Sequence, residues 1–417
     1  MMLSILSGCL LFTGLYCCTA AHAVEGYEPQ QDLKASGVLP KSFFESDLYK
    51  VDQKVKNDGL MNTYTVTSKH GNFEVISTVA LYKLIVEIQA IDAMKKVQES
   101  DTYTKSLTKS GEDTAEGVKH LFTDPLGSAE SAGKGLTSIF SRAGEAIKSS
   151  PGDTEDSRAE QLIGFSKSKR EIAHKYHVDV YSTNKVLQDE LNSLAWADYG
   201  GGITLSIATL PLAGPAKVVY SSSNAVRLLN DAIAMTPPSE LKKQNRKKLA
   251  KMKIDLNLTD LFIKNPNLSP RQQTYIVAAM EAMSEAAHRE VALMVALQVK
   301  DSDMAMAITT IAMMQAGYNN NVAKIKELYS AMRIMGGRDA NGNKVLLVPV
   351  DHLTWNDRIA GAIKDLDKAA DAGKGEIWLL GTASKLAQAK LKEQGWEVKT
   401  KVAGKVGINE LGLLKKQ

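Results

Sequence analysis

The alternation of apolar and polar positions predicts a short β element followed by helices. Residues 62–67 and 73–76 each alternate β-branched or aromatic side chains with polar ones, and His70-Gly71 lies between them. This pattern predicts a β-hairpin. Upstream, residues 24–58 predict an irregular arm with one short helix, over residues 40–55. Downstream, apolar residues recur at helical spacing and predict helices over residues 79–99, 155–176, 183–198, 217–235, 239–253, 270–299, 301–316 and 321–335.

The C-terminal region has a different pattern. Short apolar runs at residues 345–348, 377–380 and 396–399 alternate with helical segments at 355–372 and 384–394. A strand–helix–strand–helix–strand order predicts a small parallel sheet with right-handed crossovers. The apolar tail, residues 408–414, is expected to pack back on the fold.

Together these elements predict a mainly α fold: a multi-helix body with an N-terminal β-hairpin and a small C-terminal parallel α/β (βαβαβ) unit. We expect a leader at residues 1–23 and three regions after it, 24–154, 155–335 and 336–417.

The first 23 residues resemble a secretory signal peptide. They carry no Lys, Arg, Asp or Glu, and they end in Ala21-His22-Ala23, the small-x-small pattern that precedes a cleavage site. We therefore expect a secreted, periplasmic protein of a bacterial cell envelope. An alternative is a lipid anchor at Cys9, which follows Leu6-Ser7-Gly8 as in a bacterial lipobox.

Composition narrows the classes of function. The 417 residues contain 51 Lys and Arg against 47 Asp and Glu, a net charge of +4, which excludes a globally basic nucleic-acid coat. The 44% hydrophobic and 24% charged fractions are ordinary for a globular protein. All three cysteines, Cys9, Cys17 and Cys18, lie in the predicted leader. Cleavage would leave no thiol for disulfides, thiolate catalysis or Cys-based zinc sites, and we expect no cofactor, no metal and no nucleic-acid partner.

Two apolar segments could contact a membrane or a hydrophobic ligand. Leu136, Ile139 and Phe140 lie on one stripe of a short amphipathic helix, either docked on the core or lying on a lipid surface. Residues 199–216 contain no charge, and we expect a buried helix ended by Pro211, with a membrane-dipping element as the alternative.

A basic helix follows at residues 239–253. Five of its cations are candidates for contact with anionic lipid head groups, the alternative being a solvated helix face. These candidates are Lys242, Lys243, Arg246, Lys247 and Lys248.

Catalytic motifs are absent, since the chain has no GxSxG, no HExxH and no phosphate-binding glycine loop. Two clusters remain as candidates for general acid/base catalysis. One comprises His174, His177, Asp179 and Tyr181 near a helix end, where a histidine more often interacts with the helix dipole. The other is Asp351 with His352, just after a predicted strand, where open α/β sheets place their sites.

Methionines are concentrated between residues 280 and 335. Thioethers bind Cu(I), although packing of crowded helices explains the same residues. They are Met280, Met283, Met294, Met304, Met306, Met313, Met314, Met332 and Met335.

From these features we expect a cell-envelope protein that acts by binding, at a membrane surface or on a hydrophobic ligand, and not by catalysis. One alternative is a secreted hydrolase that uses His174–Tyr181 or Asp351–His352. The other is copper handling by the methionine-rich helices.

Overall fold

A computed structural model describes most of the chain and shows a mixed α/β fold. About 52% of it is helix and 20% strand, in a curled antiparallel sheet and a mixed sheet, so the prediction of a mainly α fold is wrong. The described residues are 26–30, 32–101, 103–104, 156–201, 231–331, 333–369, 375–409 and 411–414.

An antiparallel sheet forms the N-terminal part. Strand β4 is central: β5 pairs with one edge, and β3 and β2 share the other, with β1 beyond β3. The predicted hairpin is confirmed, since β4 and β5 turn at residues 69–70. The strands are β1 (Asp32–Lys34), β2 (Tyr49–Val51), β3 (Lys54–Asn57), β4 (Asn62–Ser68) and β5 (Gly71–Ile76).

The helix predicted over residues 40–55 is wrong. This stretch contains a single 3-10 turn, Lys41–Phe43, and then β2 and β3. The reason is a period of two: Tyr49, Val51 and Val55 are buried, whereas the lysines between them point to solvent. A one-turn helix, α1 (Ala35–Val38), precedes the 3-10 turn.

Three long helices pack on this sheet. Their apolar residues form one core with Tyr64 and Val66 of β4. The predicted helices are confirmed with small differences at their ends. They are α2 (Thr78–Gln98), α3 (Asp156–Lys175) and α4 (Lys185–Gly201).

A second helical group follows, built around the buried α9. The single long helix predicted over residues 270–299 is wrong, because the chain leaves helical geometry after α7 and starts again at α8. Between them, the Ala287 N–H donates to the Lys326 carbonyl (2.8 Å), and the Ala287 carbonyl accepts from the Leu328 N–H (3.0 Å). His288, at φ 58°, completes the turn. The helices are α5 (Pro238–Lys251), α6 (Leu256–Lys264), α7 (Pro270–Ala282), α8 (Val291–Ala296) and α9 (Ser302–Asn321).

The C-terminal sheet has the order β12-β10-β8-β7-β6. The predicted parallel arrangement is confirmed for β8, β10 and β12, with helices α10 and α11 in the crossovers. A small parallel pair, β9 and β11, lies beyond the carboxyl ends of these strands. The elements are β6 (Ile325–Ala331), β7 (Ile334–Asp339), β8 (Lys344–Val348), β9 (His352–Leu353), α10 (Asp357–Ala369), β10 (Gly375–Leu379), β11 (Thr382–Ala383), α11 (Lys385–Glu393), β12 (Trp396–Lys399) and α12 (Ala403–Val406).

A helix predicted over residues 321–335 is also wrong, because this stretch forms most of the antiparallel hairpin β6–β7. Tyr329 and Gly336 are directly opposite each other, and a Cβ at Gly336 would overlap the tyrosine ring. The aromatic ring thus covers a glycine on the neighbouring strand, which stabilises a strand pair and not a helix.

Each face of the parallel strands packs on a different layer. Leu346, Ile377 and Leu379 face α10 and α11 in one core, and Leu347 and Trp378 face α9 in another. Alternate residues of one strand therefore join the C-terminal unit to the helical group. The tail packs back, since Ile408 and Leu413 are buried in the same core as α9.

Candidate functional site

The helical hairpin of α5 and α6 is strongly basic. Residues 239–264 contain eight Lys and Arg against three Asp and Glu, a net charge of +5 in a chain whose total is +4. Residues 384–417 have the same balance, eight Lys against three Glu, so the hairpin is one of two strongly basic segments of the chain.

Helix α5 has an apolar face and a basic face. Leu241 and Leu249 are buried against the core, with Asn245 between them. Lys243, Lys247 and Lys251 follow one another at intervals of four, which places them on one stripe roughly opposite the buried residues. The basic stripe is thus directed towards solvent.

Several of the predicted contact cations are paired within the fold. Arg246 contacts Asp260 of α6 (3.2 Å), and Lys248 contacts Glu281 of α7 (2.7 Å). These two pairs tie α5 to its neighbours. Since all four side chains are at least one-third exposed, each pair contributes little to stability.

Lys242 and Lys243 differ in their surroundings. Lys243 lies 3.6 Å from Glu240, one turn earlier in α5. Burial, together with the neighbouring charge of Arg246, lowers the pKa of Lys242. Lys243 is thus a paired cation on the exposed face, and Lys242 is partly buried.

Unpaired cations are found at Lys247, Lys251 and Lys253. None of the three has a salt-bridge partner among the described residues. Lys253 is in the left-handed region, at φ 60°, in the turn that leads into α6. Lys247 is among the predicted contact residues, and Lys251 and Lys253 belong to the same predicted basic helix.

Helix α6 carries two exposed leucines. Leu256 is 74% exposed and Leu261 is 60% exposed, the two highest values among the large exposed apolar side chains. Phe262 and Ile263 hold the opposite side of α6 in the core. The exposure of these leucines could not be predicted from the sequence, because an apolar helical stripe does not show which of its residues stay outside the core.

Asp351 has a different environment, at the junction between the N-terminal and C-terminal sheets. Its carboxylate accepts hydrogen bonds from the backbone N–H groups of Asn62 (3.0 Å) and Thr78 (3.1 Å). Thr78 is the first residue of α2, whose early N–H groups have no partner within the helix. Asp351 therefore acts as an acceptor for a helix N-terminus, a position that favours negative charge.

The pKa of Asp351 is nonetheless raised. Burial is the largest cause, and the donors at Asn62 and Thr78 offset it in part. The surrounding loop is tight, because a Cβ at Gly381 would overlap the carbonyl oxygen of Asp351. The carboxylate is enclosed by backbone and by its donors.

His352 turns away from Asp351. Its Nδ1 lies 2.6 Å from the Thr382 hydroxyl, across the β9–β11 pair. Burial lowers the pKa of His352, with an opposing effect from Glu28, so the imidazole stays neutral near pH 7. The two adjacent residues are thus bonded to different partners and do not form an acid/base pair.

The carboxyl edge of the parallel sheet is covered by the N-terminal sheet. The Leu60 carbonyl accepts from the N–H groups of Asp351 (3.1 Å) and His352 (3.2 Å). Glu28 bridges the same edge, since its carboxylate accepts from the Trp355 N–H (2.6 Å) and the Ser384 hydroxyl (2.5 Å). The position where open α/β sheets bind ligands is therefore occupied by the chain itself.

The second predicted cluster lies at the end of α3. His177 has φ 59°, its N–H donates to the His174 carbonyl, and the Val178 N–H donates to the Ala173 carbonyl. This hydrogen-bond pair is a Schellman motif, in which His177 occupies the position that usually holds glycine. The His174 Nε2 lies 2.9 Å from Asp231.

Asp179 and Tyr181 continue this turn. The Asp179 carboxylate accepts from the Tyr181 N–H (3.0 Å) and lies 3.7 Å from the Arg271 guanidinium. Burial raises the pKa of the Tyr181 phenol. The four predicted residues therefore organise a helix end and its turn.

Lys169 is a buried cation that sequence analysis did not single out. Its ammonium donates to the Gln188 amide oxygen (2.7 Å), and burial lowers its pKa to about 8. Gln188 in turn donates to the carbonyls of Val180 and Ser182. Lys169 thus belongs to a network that joins α3, α4 and their connecting turn.

Two predicted contact segments lie outside the described residues. They are the stripe of Leu136, Ile139 and Phe140, and all but the first three residues of the uncharged segment 199–216. Within the part of the chain that the structure describes, no helix has the length and apolar character needed to cross a membrane. The same residues contain no group of three or more His, Cys, Asp or Glu side chains suited to hold a metal ion.

Comparison with known proteins gives no relative. No family model, curated protein or solved structure matches the chain.

Proposed function

We propose that this protein acts by binding at the bacterial cell envelope, and that the surface of α5 and α6 contacts an anionic membrane. The observation that carries the proposal is the combination of unpaired lysines and exposed leucines in one short hairpin. Lys247, Lys251 and Lys253 supply charge, and Leu256 and Leu261 supply apolar surface.

Both components favour an anionic lipid surface. Each lysine near such a surface contributes about 1 kcal/mol of binding free energy. Leucine side chains that enter the boundary between head groups and acyl chains add a contribution that salt does not screen. The predicted leader would deliver the chain to the compartment where such a membrane is accessible.

The test is co-sedimentation with vesicles of phosphatidylglycerol and of phosphatidylcholine. The chain should begin at Val24, so that the apolar residues 3–21 cannot bind the vesicles. We expect binding to the anionic vesicles at low salt, weak binding to the neutral ones, and a large decrease in 0.5 M NaCl. Absence of binding to anionic vesicles at low salt would refute the proposal.

A charge-reversal variant locates the surface. Lys247→Glu, Lys251→Glu and Lys253→Glu together should weaken binding by at least about 100-fold, the equivalent of about 1 kcal/mol for each lysine removed. The matched control reverses three exposed lysines of the N-terminal sheet and its turns, with the same change of net charge. If both variants lose affinity equally, net charge and not this surface determines binding. The control substitutions are Lys34→Glu, Lys41→Glu and Lys69→Glu.

A further inference from the structure

We propose that the cavity between α9 and the N-terminal sheet binds Cu(I) through the thioethers of Met61, Met304 and Met306. The cavity has a volume of about 190 Å³, and all three methionines line it together with Asp303 and Thr310. Met61 lies in the turn between β3 and β4, whereas Met304 and Met306 belong to the first turns of α9. The site is independent of the α5–α6 surface.

Exposure separates Met304 and Met306 from the other methionines between residues 280 and 335, and Met61, outside that region, is also only partly buried. Met61, Met304 and Met306 are partly exposed and border one cavity. The others with described burial are sealed in the core, apart from Met294, which is exposed on α8. The buried ones, each at most 2% exposed, are Met280, Met283, Met313, Met314 and Met335.

The backbone is fixed on both sides of the cavity. The Met61 N–H donates to the Asp58 carboxylate (2.8 Å), and the Met304 N–H donates to the carboxylate of Asp301, the N-cap of α9 (2.8 Å). Methionine side chains are unbranched and adapt to irregular spaces. The site requires the sulfurs of Met304 and Met306, two positions apart in α9, to turn towards the same ion.

The donor set favours Cu(I) over harder ions. Thioethers are soft, neutral ligands that select Cu(I), whereas zinc and calcium require nitrogen, thiolate or oxygen ligands. Asp303 places a carboxylate on the lining of the cavity, where it would offset the charge of a bound cation. Thioethers also suit an oxidising compartment, since they do not form disulfides.

The test is a Cu(I) titration of the full chain under anaerobic conditions, in competition with a chromogenic Cu(I) chelator. Every sample carries Cys9→Ser, Cys17→Ser and Cys18→Ser, because thiolates in the leader would bind Cu(I) themselves. We expect one Cu(I) per chain, sulfur neighbours in the copper X-ray absorption spectrum, and no uptake of Zn²⁺. No Cu(I) uptake, or copper bound only by nitrogen and oxygen, would overturn the proposal.

The decisive variant combines Met61→Leu, Met304→Leu and Met306→Leu. Leucine has nearly the volume of methionine and preserves the packing, so the melting temperature should change little. Loss of the ligands should weaken Cu(I) binding by at least about 100-fold, which is at or above the loss that follows removal of residues that only orient the ligands. Met235→Leu with Met294→Leu is the control, which removes exposed thioethers elsewhere and should keep the affinity.

Retention of Cu(I) by the triple leucine variant would contradict the proposed ligands. A second outcome would also contradict the proposal: a fluorescent apolar probe binds in the cavity, and Cu(I) does not displace it. The cavity would then be a site for an apolar molecule. These outcomes leave the vesicle experiments unaffected, so failure of the copper site and failure of the membrane proposal can be distinguished.

Discussion

Asp351 and the α5–α6 hairpin place charged side chains in opposite situations. The Asp351 carboxylate is enclosed and accepts from two backbone N–H groups. By contrast, Lys247, Lys251 and Lys253 project from the surface and have no ion-pair partner in the part of the chain that the structure describes. An enclosed group with internal partners stabilises the fold. An exposed cation without an internal partner adds little to folding and remains available to another molecule.

This difference changes the interpretation of the predicted catalytic residues. In both clusters, the Asp351–His352 junction and the end of α3, most polar groups are bonded within turns and helix ends, and the buried Tyr181 hydroxyl has no hydrogen-bond partner among the described residues. Position after a parallel strand is therefore insufficient to indicate a site when another part of the chain covers that edge.

The largest expected effect is that of Asp351→Ala. The substitution removes the acceptor of the Asn62 and Thr78 N–H groups, and each enclosed donor left without a partner costs about 1–3 kcal/mol. We expect the free energy of unfolding to fall by about 3 kcal/mol in urea denaturation followed by circular dichroism. His352→Ala, which removes one side-chain hydrogen bond, should cost about 1 kcal/mol. An equal or larger loss in His352→Ala would contradict the role assigned to Asp351.

A smaller effect is expected in the dependence of stability on pH. The pKa of Asp351 is raised in the folded chain, so the folded state binds more protons than the unfolded state between the ordinary and the raised pKa. The free energy of unfolding should therefore fall as the pH rises through this window. Asp351→Asn cannot titrate and should lack this decrease.

The measurement is the difference in unfolding free energy between the original chain and Asp351→Asn, at pH values from about 3.5 upward, near the ordinary pKa of an aspartate. The original chain should lose stability relative to the variant as the pH increases. A constant difference would mean that burial does not penalise the ionised carboxylate, and that the backbone donors dominate instead.

The sequence predicted the local elements better than their partners. The hairpin at His70-Gly71, helix α2 and the parallel strands follow from short-range periodicity and turn residues. Strand β6 was missed because its stability depends on Ala287 and on the ring of Tyr329 over Gly336. These contacts are tertiary, and no local pattern in residues 321–335 contains them.

The same limit applies to the candidate site. The basic run of α5 was visible in the sequence. Which of its cations are paired could not be predicted, because the pairs Arg246–Asp260 and Lys248–Glu281 join different helices. Asp351 was selected for its place after a strand. Its partners, 273 and 289 positions earlier in the chain, could not be inferred from spacing.

A third prediction concerns the turn at His177. A non-glycine residue in the left-handed region, such as His177, lowers the stability of the fold by about 1 kcal/mol or more. Glycine avoids this cost, but it also increases the conformational entropy of the unfolded chain, which offsets part of the gain. We expect His177→Gly to be more stable than His177→Ala by about 0.5–1 kcal/mol, measured by urea denaturation. Equal stability of the two variants would show that the side chain, and not the backbone conformation, determines the contribution of this residue.

The smallest expected effect on stability is that of Leu256→Ser combined with Leu261→Ser. Both side chains are mostly exposed, so the free energy of unfolding should change by no more than about 0.5 kcal/mol for each substitution. Leu249→Ser, in the buried face of α5, should instead cost about 3 kcal/mol or more. If the double variant loses as much stability as Leu249→Ser, the leucines belong to the fold. If it stays stable and loses the part of vesicle binding that persists in 0.5 M NaCl, the leucines contribute the apolar component of the membrane contact.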